Sequence, residues 1–257
     1  MTWLAAPLGA IIGAVLGILG GGGAILTIPV LVYAFGLHPH DATSASLVII
    51  GLSSALAAAR HARRGMVRWR TVVVMAAVGA IGTYAGSLAS AAIDGRVLVV
   101  LLAALLVVVA GLMMRHTAAT DSTETGPALP PRPTSGLVQT AMLAVGLGAL
   151  TGFFGVGGGF AIVPALVLIL RFRPAVAIGT SLGIIAVNSA SALAARLGSG
   201  VSLDWPLVVT FTAAAMVGSL VGERASRSLD SAKLTRGFAV LLLAVAAYML
   251  VDAVLIR

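Results

Sequence analysis

A glycine-rich segment, set inside a long uncharged apolar run and present twice, limits what this chain can fold into more than any other feature. The first copy, Gly13–Pro29, reads GAVLGILGGGGAILTIP, and the second, Gly148–Pro164, reads GALTGFFGVGGGFAIVP. At a constant offset of 135, Gly13, Ala14, Gly17, Gly20, Gly22, Gly23 and Pro29 fall on Gly148, Ala149, Gly152, Gly155, Gly157, Gly158 and Pro164. Each glycine weakens a helix by about 1 kcal/mol relative to alanine, so a cluster of them interrupts the helix that the run begins. Run 3–37 carries no Lys, Arg, Asp or Glu. As one helix it would be roughly 50 Å long, against about 30 Å of bilayer hydrocarbon. The run is therefore expected to bend, and to bend at the glycines. Backbone that leaves the helix inside hydrocarbon has to be buried in protein or line a wet cavity. The expected arrangement has the two breaks facing each other with a substrate site between them.

Composition sets the environment. The chain has 257 residues, 60% hydrophobic and 9% charged, whereas a soluble domain carries about 25% charge. It reads as an all-α polytopic membrane protein, multi-pass in the cell inner (plasma) membrane, with membrane lipid as its surroundings. Cysteine is absent, which excludes disulfides and thiolate metal sites. The four histidines show no metal-ligand spacing, and His38, His40 and Asp41 read as loop polarity around Pro39. No metal or cofactor is expected. A net charge of +8 would suggest nucleic acid for a soluble protein. Here Lys and Arg stand at the ends of apolar runs, so topology explains them and no nucleic-acid partner is expected. The N-terminus, MTWLAAPLGAII, lacks the basic stretch of a cleaved signal peptide, and the first run is expected to be retained.

The apolar runs are roughly 3–37, 43–59, 71–93, 97–114, 137–170, 175–195, 206–222 and 237–256, with a Thr-, Ser- and Pro-rich stretch from Arg115 to Gly136 in the middle. The expected organisation is a membrane repeat over 1–115, a flexible polar linker over 116–136 and a second membrane repeat over 137–257. Similarity continues past the glycines: Ala42, Ser46, Leu47, Ile49, Ile50 and Ser54 match Ala177, Ser181, Leu182, Ile184, Ile185 and Ser189. After a slip of one residue, Trp69, Gly82, Gly86, Ala89 and Asp94 match Trp205, Gly218, Gly222, Ala225 and Asp230. Duplicated hydrophobic halves mark transporters.

Charge tests the relative orientation of the halves. If every run crosses once and the Arg60–Arg70 loop is inside, nine of the sixteen Lys and Arg are inside and seven outside. If instead the first run of each half makes an even number of crossings, only Arg96, Arg196 and Arg257 stay outside, which is 13 against 3. The positive-inside rule selects the second arrangement. The fold expected is two inverted-topology repeats of four hydrophobic segments, the first of each broken at its Gly-rich stretch.

No Lys, Arg, Asp or Glu lies deep inside a run, so a charged relay and a buried carboxylate are not expected. What remains inside is small and polar: Thr27, Thr43, Ser44, Ser46, Ser53 and Ser54 in the first half, and Thr151, Thr180, Ser181, Asn188, Ser189 and Ser191 in the second. Broken helices expose backbone N–H groups and a partial positive helix end, which favour anions. The candidate substrate-binding residues are Gly20, Gly21, Gly22, Gly23, Ser46, Gly155, Gly157, Gly158, Gly159, Thr180, Ser181 and Asn188. The bland readings are concrete. Gly13 with Gly17, Gly82 with Gly86, and Gly218 with Gly222 have the spacing of close helix packing. Ser and Thr in membrane helices commonly bond their own backbone. Asp94 and Asp230 are explained by N-capping. GVGGGF is no phosphate loop, since no Gly-Lys-Ser/Thr follows and no strand precedes it. No catalytic triad assembles, so no enzyme is expected.

The duplicated glycine segment ending in Pro (GFFGVGGGFAIVP in the second half), Gly179–Leu182 (GTSL), and the basic RHARRGMVRW stretch together resemble the TauE/SafE sulfite exporter family, also described as the 4-toluene sulfonate uptake permease family. The resemblance covers nearly the whole chain. The first half departs from it, with Ser44, Ala45, Ser46 and Leu47 in place of Gly, Thr, Ser and Leu, so a role for the Thr hydroxyl belongs to Thr180 alone. The resemblance implies transport, usually outward, of small sulfur-containing anions such as sulfite, sulfoacetate or other sulfonates. A small anionic substrate is the expected partner, and a homodimer is compatible with it. Two other readings stay open from the residues: a carrier of a different small solute or ion, even a cation held by backbone carbonyls, and a non-transporting membrane assembly subunit.

Overall fold

The computed structural model describes residues 4–37, 39–90, 95–121, 137–154, 159–195, 204–227 and 230–255. Among these the chain is helical throughout, with ten helices and no strand: α1 Ala5–Leu19, α2 Gly22–Phe35, α3 Pro39–Ala62, α4 Trp69–Ser90, α5 Gly95–Asp121, α6 Leu137–Phe154, α7 Gly159–Leu168, α8 Pro174–Ala195, α9 Trp205–Arg227 and α10 Ser231–Leu255. Segments Asp41–Ala62, Pro174–Ala194, Trp205–Ser226 and Ala232–Val251 are long and apolar enough to cross a bilayer. Large apolar side chains stand exposed on the outside of the bundle, among them Ile81, Tyr84, Val138, Met142 and Val217. Such a surface suits lipid and would be a liability in water. Pro39, His40 and Asp41 open α3 instead of forming a loop. Proline is favoured in the first helical turn, where its missing N–H has no acceptor to lose, and Asp41 complements the helix dipole there.

The first of the long apolar runs that hold the glycines is broken. Run 3–37 becomes α1 and α2, of 15 and 14 residues. Each is about 22 Å long, too short to cross alone. The chain turns back between them. A Cβ placed on Gly23 would lie 2.8 Å from the Ile12 carbonyl oxygen and 2.8 Å from Leu16 Cβ, whereas eleven residues of continuous helix would separate the first pair by about 17 Å. Gly20 makes the reversal with φ +74° and ψ −113°, a backbone state that side chains with a Cβ resist.

Helices pair across the two halves of the sequence more than within them. α1 packs on α9, α4 on α6, α3 on α8, α5 on α10, and α2 on α7. Under the 135-residue correspondence α1 matches α6 and α4 matches α9, so the first two pairings exchange and the other three map onto themselves. The GxxxG glycines make the closest of these contacts. Cβ atoms on Gly13 and Gly17 would collide with the carbonyl oxygens of Ala215 and Ser219, and those on Gly218 and Gly222 with the carbonyls of Ala10 and Ala14. Residue numbers rise together along this seam, so α1 and α9 run parallel. Gly82 against Val145 and Gly86 against Ala149 show the same for α4 and α6. In contrast, α3 and α8 are antiparallel: Gly51 meets Ser189, and Gly179 meets His61 and the Met66 carbonyl.

One end of the bundle is basic. The α3–α4 connection, with Arg60, Arg63, Arg64, Arg68 and Arg70, lies against the start of α8, which follows Arg171 and Arg173. The far end of α9 meets it through Glu223. The matched tryptophans fall at opposite ends. Trp69 opens α4 beside the basic loop, while Trp205 opens α9 eighteen residues before Glu223, about 27 Å away. Both are exposed, as anchors at the two membrane interfaces would be.

Candidate functional site

The break at Gly20–Gly21 is enclosed by the other half of the chain. A Cβ on Gly20 would sit 2.9 Å from Ser181 Oγ, 3.1 Å from Val163 Cγ2 and 3.3 Å from Ile178 Cα. Helices α7 and α8 therefore press on the turn, and glycine is needed there for space as well as for φ. Around it Leu16, Ala57, Ala58, Ile178, Leu182 and Leu234 form a small apolar cluster from α1, α3, α8 and α10. A narrow crevice lined by Leu19, Val163, Ile178, Leu234, Thr235 and Phe238 adjoins it. The Gly20 N–H donates to the Leu16 carbonyl at 2.8 Å. Gly21 precedes α2, and Gly22 and Gly23 form its first turn, so the opening N–H groups of α2 lie at the break.

The predicted hydroxyls are distributed as follows. Thr180 and Ser181 are fully buried. Thr180 Oγ1 accepts the Arg68 backbone N–H at 3.1 Å, which fastens the basic loop to α8. Ser181 Oγ donates to the Ile178 carbonyl at 2.8 Å and still borders Gly20. Ser46 Oγ donates to the Thr43 carbonyl at 2.8 Å. From the α3–α8 register, Ser46 and Ser181 stand roughly 20 Å apart along the helix axes, so they do not line one point. Asn188 is half-buried near the middle of the same helix pair. Gly155, Gly157 and Gly158 lie outside the described residues, and Gly159 opens α7. The expected second break, and with it the expected facing of the two, falls outside the described residues.

Two features add to the sequence reading. Ser53 and Ser54 are fully buried at mid-helix in α3, and their hydroxyls find no hydrogen-bond partner among the described residues. They are the repeat mates of Asn188 and Ser189. A donor left open in a buried place costs about 1–3 kcal/mol, so this level of α3 carries uncompensated polarity. The second feature is a correction. A buried carboxylate was not expected, yet Glu223 is fully buried. It lies 2.8 Å from Arg60 Nε and 2.6 Å from Arg64 Nη1. The apolar run ends one residue before it. Nothing local showed that α1, packed at the level of Gly17, would cover this position.

A broken helix, buried hydroxyls and a basic end suit the passage of a small polar solute, and comparison with known proteins agrees. The model of the sulfite exporter TauE/SafE matches residues 5–249. The chain belongs to the TauE/SafE family. It is 35% identical over 246 residues to a "Probable membrane transporter protein" of Xylella fastidiosa strain Temecula1, covering 94% of this chain and 92% of that one. It is 23% identical over 226 residues to the "Probable membrane transporter protein YdhB" of Bacillus subtilis, covering 83% and 86%. A similarly named protein of Methanocaldococcus jannaschii is 27% identical over 201 residues, covering 74% and 72%. No solved structure matches. This TauE/SafE chain is thus a multi-pass membrane transporter.

Proposed function

We propose that the chain exports small sulfur-containing anions, such as sulfite, sulfoacetate or other sulfonates, across the cell inner (plasma) membrane. Access alternates about the Gly-rich helix breaks. The observation that carries this reading is the chain reversal at Gly20, pressed against Ser181 of the other half, in a family named for sulfite export. Half-helix ends and hydroxyls hold an anion without a fixed positive charge at the break, which keeps its release easy. Inverted-topology repeats are supported by antiparallel α3 and α8, by the matched tryptophans at opposite ends, and by basic residues gathered at one end. With that end inside, an inside-negative potential drives a monoanion outward by about 2.3 kcal/mol per 100 mV, close to a fifty-fold gradient.

The test is flux of labelled sulfite into proteoliposomes under an imposed potential, with the native chain, Ser181→Ala and Asn188→Ala compared. Potential-dependent flux that falls in the variants supports the reading. Flux of sulfonates alone would move the substrate within the class. No flux of any sulfur anion would overturn it.

A further inference from the structure

Glu223 and the two arginines that hold it are used neither by the break nor by the hydroxyls around it. The Glu223 side chain is 1% exposed, while those of Arg60 and Arg64 keep 30% and 29%. The carboxylate is thus sealed in, and the cations open toward the basic end. Oε2 faces Arg60 Nε and Oε1 faces Arg64 Nη1, so one carboxylate bridges two guanidinium groups. A small oxyanion with two equivalent oxygens presents the same pattern of charge and acceptors. The group also adjoins the break: the Glu223 backbone N is 2.9 Å from where a Gly17 Cβ would sit, and Gly20 follows less than one turn on. At the position that matches Glu223 the other half carries Ser87, with no charge.

We propose that Arg60 and Arg64 form a capture site for a small oxyanion at the basic end, and that Glu223 occupies it as an internal stand-in while no anion is bound. The proposal rests on reading the chain as an anion carrier. An arriving anion takes the two guanidinium groups from Glu223. A buried carboxylate that loses two charged partners is strongly unfavourable, so the end of α9 has to leave α3. Because α9 is locked to α1 by backbone contact from Gly9 to Gly17, the displacement reaches the Gly20 turn.

The experiment measures equilibrium binding of sulfite, methanesulfonate, acetate and phosphate to the full-length chain in lipid nanodiscs. Native protein is compared with Glu223→Gln, Arg60→Gln and Arg64→Gln. A stand-in competes with the ligand, so Glu223→Gln binds sulfite about tenfold tighter or more, whereas each arginine variant binds it about tenfold more weakly or worse. A purely structural ion pair predicts the same direction, or no change, in all three variants, and that result would overturn the proposal. If Glu223→Gln does not fold, Glu223→Asp shortens the reach and should shift affinity with the same sign. Tightening toward acetate or phosphate alone would leave the capture site standing and remove the sulfur reading. Sulfite flux and binding that ignore both arginine variants would do the reverse. Absence of any oxyanion binding to native and Glu223→Gln protein also overturns the site.

Discussion

Gly20 does two things that no other residue can do in its place. It holds a positive φ of 74°, and it leaves room for Ser181 Oγ at a distance where a Cβ would be crowded. Gly20→Ala should therefore lower stability by about 1–3 kcal/mol and reduce sulfite flux, read by thermal unfolding in detergent and by proteoliposome uptake. Gly111 is the control. It lies in the interior of α5 with open space around it, so Gly111→Ala should be neutral or stabilising by up to about 1 kcal/mol. Equal effects of the two substitutions would refute the role given to the turn. At this scale the glycines were legible because propensity is local, while the contact with Ser181, some 160 residues away in the chain, was not.

Helix α1 depends on α9 as much as on its own sequence. Lipid supplies no hydrophobic drive between membrane helices, so association relies on close backbone approach through small residues. Gly9, Gly13 and Gly17 on α1 and Gly218 and Gly222 on α9 provide it. Gly13→Leu should open this seam, causing loss of the monodisperse folded species on size-exclusion chromatography and loss of flux. Gly146→Ala, on α6 where an added Cβ meets nothing within 4 Å, should do neither. The spacing of these glycines pointed to packing. It could not say that α1 would choose α9 over its neighbours in the chain, because many apolar faces of similar character compete.

On the scale of the molecule, the sequence halves do not form separate bodies. Parallel α1–α9 and α4–α6 pairs tie each half into the other, so a rigid swing of residues 1–115 against 137–257 would have to tear both seams. Motion is expected instead between cross-half pairs and the central α3–α8 pair, with the Glu223 ion pairs bridging α9 to α3 at the basic end. The absence of native cysteine makes sidedness directly measurable. Single-cysteine variants at Arg63, Arg173 and Arg224 should react with an impermeant maleimide from one side of inverted or intact vesicles, and Asp204→Cys from the other. Labelling of Arg63→Cys and Arg173→Cys from opposite sides would contradict the fold.

The membrane class, the duplication, the position of the first break and the single basic end were all legible from residues alone. Composition, helix propensity and the positive-inside bias act within a few residues or as sums over loops, and need no knowledge of who touches whom. The tertiary structure alone decided which helices pair. It decided that Thr180 receives the Arg68 N–H, that Ser53 and Ser54 are buried with hydroxyls unpartnered among the described residues, and that Glu223, at the edge of an apolar run, becomes a sealed carboxylate between two arginines. Those outcomes depend on steric fit and charge pairing between residues far apart in the chain, which local pattern does not encode.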